Sequence, residues 1–195
     1  KVEIVNDCAA AVLGEYHYGN HDTDNLIYIT ISSGIGAGAV LDGNLIEAEN
    51  GNFGEVGHMK MGEYGFPCGC GLEDHWEAYC SGNSLPHLGE KVSDSNFDSA
   101  VEVFDRYEKG DRDAEKTIEK MQQINLDAVS DIVNMYNPGK MVLGGAVALN
   151  HPKLVAGDLN RRVEDHVVNE SPPVEVCDLG EEAVLHGLRA VCNGE

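Results

Sequence analysis

The chain has 195 residues, enough for one large domain or two small ones. With 42% hydrophobic residues and 23 glycines, it is too apolar for general disorder and too glycine-rich for a plain helical bundle. Its 34 acidic and 13 basic side chains give a formal charge of −21, which argues against binding to nucleic acids or anionic lipids, because their phosphates repel such a surface.

The first half of the chain is predicted to be rich in strands. In chain order we expect a strand at 2–5, a helix at 8–15, a strand at 26–31, a glycine-rich loop at 32–38, a strand at 39–41 and an irregular segment at 47–71. The Asp42-Gly43 step is typical of a hairpin turn. A chain that opens within a strand looks truncated, and a long irregular segment in a compact domain usually has a function.

The second half is predicted to be rich in helices. In chain order we expect helices at 76–80, 99–109 and 114–136, a strand at 140–143, a helix at 154–168, a strand at 174–177 and a closing helix at 182–192. The acidic residues of 102–119 are expected to form a solvated helix face. Strands first and helices later, with the last two strands suited to parallel pairing, predict an α/β fold.

Membrane and secretory features are not found in the sequence. No run approaches ~18 consecutive apolar residues, and the first residues do not form a cationic and apolar leader. Of the six cysteines only Cys68 and Cys70 are close together, and the chain is larger than the secreted scaffolds that depend on disulfides. We therefore expect a reduced, cytoplasmic protein, whose acidity is also typical of a high-salt cytoplasm.

The segment 54–77 holds the densest group of chemically active residues. The thiols of Cys68 and Cys70 and the imidazoles of His58 and His75 match the ligand set and number of a tetrahedral structural zinc site. Glycines beside the cysteines let the backbone fold so that both sulfurs reach one ion. Four protein ligands leave no open position, so the metal would hold shape and would not activate water. The alternative is two buried cysteines and two exposed histidines that never meet.

Two glycine-rich turns follow predicted strands. The loop 32–38 allows backbone N–H groups to approach a phosphate, but its spacing is neither that of a dinucleotide-binding loop nor that of a P-loop. The alternative is a tight hairpin packed against a neighbour. Gly144 and Gly145 likewise predict either a nucleotide-facing turn or a packing device.

Asp7 stands where a predicted strand ends and a predicted helix begins. A carboxylate there can point into a cleft, and the helix N-terminus favours its ionised form, which can act as a base. The alternative is an ordinary N-cap, since Asn and Asp are common at that position. The remaining histidines have no ligand-like neighbours in the sequence and are expected on the surface or in the core: His17, His21, His87, His151, His166 and His186.

Together these residues resemble the C-terminal lobe of the ROK family of sugar kinases and sugar-responsive repressors. The matched stretches are Val5-Asn6-Asp7, 32–38, 54–58, 68–82 and 142–145. The chain departs from the family where His75 replaces a usual third cysteine and where Ser33 replaces a usual threonine, but the metal ligand and the hydroxyl are kept. The family's N-terminal lobe, with its first phosphate loop, is not among these residues.

The resemblance implies a ribonuclease-H-like fold of the actin and hexokinase type, with a mixed sheet flanked by helices and a zinc-bearing loop. Residues 1–195 would be the C-terminal lobe of a two-lobed enzyme that phosphorylates a hexose, with glucose as the first guess. ATP with Mg²⁺ would be the donor, and the Mg²⁺ ligand would lie in the N-terminal lobe. A homodimer is also implied.

The resemblance further implies a role for each matched residue. Asp7 would be the catalytic base that takes a proton from a sugar hydroxyl. The sugar would bind to Asn6, Glu55, His58 and Glu77. The phosphates would face Ser33, Gly34 and Gly36, and the nucleoside would face Gly144 and Gly145. Zinc would hold the loop of Glu55 and the helix of Glu77 at a fixed separation.

Two other functions fit the same residues. One is the sugar-sensing half of a transcriptional repressor whose DNA-binding segment lies outside this sequence. The other is a zinc-stabilised dimerisation domain without activity. An aspartate-led glycine loop upstream would indicate a kinase, and a basic helix-turn-helix there would indicate a repressor.

Overall fold

Five strands form one mixed sheet in the computed structural model, which describes residues 4–62, 64–93 and 95–194. The strands are β1 Leu26–Ile31, β2 Ile35–Leu41, β3 Asn44–Leu45, β4 Lys140–Gly144 and β5 Val174–Val176. Their order in the sheet is β3-β2-β1-β4-β5. β1 pairs antiparallel with β2 and parallel with β4, and β4 pairs parallel with β5. The predicted α/β class is confirmed.

Helices connect and cover these strands. They are α1 Asp7–Tyr18, α2 Glu77–Cys80, α3 Leu85–Ser93, α4 Ala100–Glu108, α5 Arg112–Tyr136, α6 Ala146–Asn150, α7 Ala156–Arg162 and α8 Ala183–Asn193. The long helix α5 ends where the sequence predicts, at left-handed Asn137 followed by Pro138, because proline cannot continue a helix. Among the described helices, none is both long enough and apolar enough to cross a membrane.

The central strand β1 is buried on both faces of the sheet. Leu26 and Tyr28 pack with Val12 of α1 on one face, and the alternate residues Ile27 and Ile29 pack with the larger cluster that includes α5 on the other. Each fully buried side chain of this kind contributes roughly 1.5–3 kcal/mol of transfer free energy. The result is a three-layer arrangement, with helices on both faces of the sheet.

The first and last helices touch through their backbones. A Cβ atom on Gly187 of α8 would lie 1.6 Å from the carbonyl oxygen of Ala10, and one on Gly14 of α1 would lie 2.2 Å from that of Ala183. Glycine at both positions therefore allows a contact that any side chain would prevent. This contact fixes α1 on the sheet and so fixes the direction of its first turn.

The structure differs from the sequence-based elements in several places. β2 begins at Ile35 and not at residue 39, because glycines that look like a loop lie within the strand. Helices α3 and α6 were not expected, and the helix expected at 154–168 is the shorter α7 followed by a 3₁₀ turn. Of the strand expected at 2–5, residues 2 and 3 lie outside the described residues, and residues 4 and 5 are not in a strand.

Candidate active site

A cleft of about 400 Å³ lies at the carboxyl end of β1. It is bounded by the start of α1, the turn between β1 and β2, the segment 53–55 and the start of α2. Seven of the residues singled out in the sequence line it: Asn6, Asp7, Ser33, Gly34, Gly36, Glu55 and Glu77. Its size falls within the range of small-molecule sites, so the fold gathers residues distant in sequence around one space for a ligand.

The first turn of α1 presents Asn6 and Asp7 to the cleft. Asn6 is the N-cap, and its Oδ1 accepts hydrogen bonds from the backbone N–H groups of Cys8 and Ala9, at 2.9 and 3.2 Å. Asp7 is the first helical residue, it is exposed, and its Oδ1 accepts from the N–H of Cys8 at 2.8 Å. The capping role therefore belongs to Asn6, and the Asp7 carboxylate faces the cleft at the positive end of a helix.

Cys8 lies behind Asp7 and also borders the cleft. Burial, followed by the neighbouring Asp7 carboxylate, raises the pKa of the Cys8 thiol to about 12. The thiol is therefore protonated near neutral pH, and Cys8 adds no negative charge beside Asp7. An uncharged sulfur at this position is a packing group and not a nucleophile.

Glu77 lies against the turn after β1. Glu77 Oε2 accepts a hydrogen bond from the N–H of Ile35 at 2.9 Å, and a Cβ on Gly34 would lie only 2.6 Å from the same oxygen. Gly38 serves packing alone, since a Cβ there would lie 2.3 Å from the carbonyl oxygen of Cys8. Gly34 and Gly36 face the cleft, as the phosphate-loop interpretation requires. Gly38 faces α1, as the packing interpretation requires.

Glu55 is carried by a segment that lies directly on β2. A Cβ on Gly54, which has φ of +85°, would lie 2.0 Å from the carbonyl oxygen of Ala37, so only glycine permits this approach. Glu55 then precedes a 3₁₀ turn at Val56–His58, where His58 Nε2 lies 3.7 Å from Glu55 Oε2. His58 itself is not among the residues that line the cleft, and it stands at the side of Glu55.

The predicted metal ligands converge, and we call them the thiol–imidazole cluster: His58, Cys68, Cys70 and His75. One ligand atom from each of the four lies within 4.8 Å of the others. Cys68 Sγ lies 3.5 Å from His58 Nδ1, and Cys70 Sγ lies 3.3 Å from His75 Nδ1. A sulfur at ~2.3 Å and a nitrogen at ~2.0–2.1 Å from a tetrahedral zinc are about 3.5 Å apart, so the residues fit the ion.

Gly144 is the last residue of β4 and Gly145 follows it, and neither lines the cleft. Gly145 has φ of +82°, and a Cβ there would lie 2.6 Å from both the carbonyl oxygen of Ile31 and Oγ1 of Thr30. A Cβ on Gly144 would lie 2.0 Å from the hydroxyl oxygen of Tyr28. Both glycines allow the chain to turn tightly against the end of β1, which favours their interpretation as packing residues.

Some cleft residues were not expected from the sequence. They are Thr30 and Phe53. Ser32 also lines the cleft, and it belongs to the loop 32–38 that the sequence had already indicated. Phe53 carried no signal, because its place beside the cleft depends on how the irregular segment 47–71 crosses β2.

A second group of polar residues lies away from the cleft, and we call it the Glu15 cluster: Glu15, His21, Cys177 and Asp178. Glu15 is fully buried, and Oε1 accepts from the Cys177 thiol at 2.9 Å and from the N–H of Leu179 at 2.8 Å. Oε2 faces His21 Nε2 at 2.7 Å and accepts from the N–H of Asp178 at 3.2 Å. The expectation that His21 has no ligand-like neighbours is wrong, because the fold places it beside Glu15 and beside Asp178, which is 157 positions later in the chain (178 − 21).

The model of the ROK family matches residues 1–192. The chain belongs to the ROK family. It is 31% identical to the glucokinase of Pyrobaculum calidifontis over 97% of the chain and 64% of that protein. It is 32% identical to the glucokinase of Aeropyrum pernix, over 98% of the chain and 66% of that protein. The N-acetylmannosamine kinase of Haemophilus influenzae strain PittEE is 28% identical over 95% of the chain. This ROK chain spans slightly less than two thirds of the length of these relatives.

Solved structures of the ROK family share the fold. The ROK hexokinase from Thermus thermophilus matches 93% of the chain and 62% of its own, with a TM-score of 0.82 and 34% identity. A ROK glucokinase from Streptomyces griseus, solved with glucose and AMPPNP, matches 98% of the chain and 68% of its own, with a TM-score of 0.82 and 24% identity. A ROK transcriptional regulator matches 96% of the chain and 53% of its own, with a TM-score of 0.71 and 22% identity. The last two show the fold alone.

Proposed function

We propose that this chain is the C-terminal lobe of a sugar kinase that transfers the γ-phosphoryl group of ATP to a hexose, with glucose as the first candidate. The observation that carries the proposal is the exposed carboxylate of Asp7, which faces a cleft lined by further hydrogen-bonding groups. Glucokinase and N-acetylmannosamine kinase relatives support a sugar as the acceptor. The second lobe would close the opposite side of the cleft and supply the Mg²⁺ ligand.

Asp7 is the general base in this mechanism. Its carboxylate removes the proton from a sugar hydroxyl while the hydroxyl oxygen attacks the γ-phosphorus. The bond between that phosphorus and the bridging oxygen breaks, so the products are a sugar phosphate and ADP. The position at the start of α1 suits this task, because Asp7 is the first residue of the helix and its side chain borders the cleft.

The sugar is held by groups that still have hydrogen-bonding capacity. Asn6 uses Oδ1 for capping, so its amide NH₂ is the group that can donate to a hydroxyl. Glu77 uses Oε2 to hold the N–H of Ile35, so Oε1 can accept from a hydroxyl. Glu55 is about half exposed, with 54% of its side chain accessible, and His58 Nε2 is on its side. These groups would reject analogues that lack the matching hydroxyls.

Phosphates of the nucleotide would face the turn that holds Ser33, Gly34 and Gly36, which lines the cleft. Gly144 and Gly145 lie outside the cleft, so any role of theirs toward the nucleoside would be limited to their packing against the end of β1. A zinc ion held by the thiol–imidazole cluster would supply a fixed separation between the loop of Glu55 and the helix of Glu77. His58 would then use Nδ1 for the metal and Nε2 for the sugar.

The experiment is the substitution Asp7→Asn in the full-length protein. We expect kcat for hexose phosphorylation to fall by about 10²–10⁴-fold, because the amide cannot accept the proton. Sugar affinity measured by calorimetry should change by less than about threefold, because the side chain keeps its shape. A coupled assay against a panel of hexoses, at low and at molar salt, would also identify the acceptor.

Asp131→Asn is the matched control, since Asp131 is an exposed aspartate on α5, outside the cleft. It removes one negative charge at a distance from the site, and we expect wild-type turnover. Turnover of the Asp7→Asn protein equal to that of the control would remove Asp7 from the mechanism.

The sugar-sensing half of a repressor is the second candidate. The likeness to a ROK transcriptional regulator favours it on the level of the fold. A wild-type full-length protein that binds a hexose but does not phosphorylate it with ATP would favour this candidate over the kinase.

A further inference from the structure

Asp74 combines an unfavourable backbone conformation with burial. Its φ is +64°, in the left-handed region that suits glycine best and side chains poorly. Only 5% of Asp74 is exposed. A glycine would adopt this backbone without strain, so the feature that sets aspartate apart at this position is its carboxylate.

The carboxylate of Asp74 gathers donors from two separate segments. Oδ1 accepts hydrogen bonds from the N–H groups of Gly65 at 2.7 Å and Phe66 at 3.2 Å. The same oxygen accepts from the hydroxyl of Tyr79, which lies on α2. The Tyr79 oxygen in turn accepts from the N–H of Tyr64 at 3.2 Å. One carboxylate therefore ties residues 64–66 to α2.

These two segments carry the functional groups. Residues 64–66 lead directly to Cys68, whereas Asp74 immediately precedes His75 and is followed by Glu77. The backbone adds to the same junction, because the N–H of Asp74 donates to the carbonyl of Phe66 at 2.9 Å.

We propose that Asp74 is a positioning residue that holds the cysteine-bearing segment against α2, so that the metal ligands and the Glu77 carboxylate are placed before any ion binds. Its effect on Glu77 rests on the proposed function, whereas its effect on the metal ligands does not. The ion then locks an arrangement that hydrogen bonds have already formed. Outer groups of this kind typically change metal affinity by about 10–100-fold.

The test compares Asp74→Gly, Asp74→Asn and Tyr79→Phe in the full-length protein. Glycine relieves the backbone and removes the carboxylate, asparagine keeps an acceptor without the charge, and phenylalanine removes one donor. Glu73→Gln is the matched control, because Glu73 is the exposed carboxylate next to Asp74. Zinc transfer to a chromogenic chelator is measured without sugar or nucleotide, and KM and kcat are measured for the hexose.

We expect Asp74→Gly to transfer zinc at least about tenfold faster than Glu73→Gln. Its KM for the hexose should rise several-fold with kcat within about twofold of the control, because Glu77 is displaced and Asp7 is not. In Asp74→Asn, both the rate of zinc transfer and the KM for the hexose should lie between those of Asp74→Gly and the control. A loss of folded protein would instead lower the apparent kcat and leave KM unchanged, and thermal melts show which variants fold.

Zinc transfer from Asp74→Gly and Tyr79→Phe at the rate of Glu73→Gln would overturn the proposal, and a wild-type protein without zinc counts as the same result. Fast zinc transfer with no hexose turnover in the wild type would confirm the placement of the metal ligands and contradict the proposed function. The two proposals therefore fail in different measurements.

Discussion

The thiol–imidazole cluster and the Glu15 cluster contain similar side chains at different spacings. In the first, sulfur and nitrogen atoms face each other at 3.5 and 3.3 Å. In the second, the Glu15 oxygens lie 2.7–2.9 Å from His21 Nε2, the Cys177 thiol and the N–H of Leu179. The distances in the Glu15 cluster are those of hydrogen bonds. The distances in the thiol–imidazole cluster fit both a sulfur–nitrogen hydrogen bond and two ligands of one tetrahedral ion.

The difference shows that residue types alone do not identify a metal site. A thiol is a weak donor and a weak acceptor, so two thiols and two imidazoles gain little from each other without an ion between them. A buried carboxylate with a donor at every position is already satisfied by protons. We therefore predict that the thiol–imidazole cluster holds the metal, although the atoms of Glu15, His21 and Asp178 are also close enough to ligate one.

The largest expected effect comes from Cys70→Ser in the thiol–imidazole cluster. We expect close to one zinc per chain in the wild type and close to none in the variant by elemental analysis. The free energy of unfolding should fall by roughly 4–6 kcal/mol, a part of the ~10–16 kcal/mol that structural zinc supplies to small zinc domains. Cys192→Ser, at an exposed thiol on α8, is the control. Native stability in a metal-free preparation would show that the cluster is not a zinc site.

An intermediate effect is expected from Glu15→Gln. The amide cannot accept from every donor around it, so we expect a loss of about 3 kcal/mol in urea unfolding. Zinc content should stay unchanged, which separates the two clusters. The exposed Glu181→Gln is the control. A fall in zinc content in Glu15→Gln, or an unaltered unfolding midpoint, would contradict the distinction.

The smallest effect concerns alkaline pH. Burial, and then the hydrogen bond to Glu15, raise the pKa of the Cys177 thiol from 9.0 to about 12. Because the thiol pKa is higher in the folded than in the unfolded chain, its contribution to stability is complete at pH values below the unfolded pKa. This contribution is lost as the pH rises from about 9 towards 12. Urea unfolding at several pH values should therefore show a shallower alkaline loss in Cys177→Ser than in the wild type. Equal slopes would mean that the thiol proton is not held by Glu15.

Local patterns were sufficient for much of the fold. β1, β4 and α5 follow from β-branched runs and helical periodicity, and the end of α5 follows from Asn137-Pro138. The start of β2 could not be predicted, because Gly36 and Gly38 lie within the strand, where they leave room for Cys8 of α1. α3 was missed for a similar reason: Gly89 weakens its pattern, and the ring of Phe97 occupies the space where a side chain would lie.

The candidate site was predictable where chemistry and spacing agree in one short segment. His58, Cys68, Cys70 and His75 fall within eighteen positions, and the structure brings them together. The sequence could not show that Asn6 caps the helix and that Asp7 faces the cleft, since either residue type can cap a helix. The Glu15 cluster left no signal in the sequence, because Glu15 and Cys177 are 162 positions apart and meet only through the packing of the chain.

The backbone contact between α1 and α8 links the two ends of the chain mechanically. With Gly187 seated on the carbonyl of Ala10, the last helix cannot shift without carrying the first helix along. Asp7 is the first residue of that first helix, so its position in the cleft that it shares with Glu77 depends partly on residues that do not line the cleft. A displacement of α8 would therefore be passed through α1 to the Asp7 carboxylate.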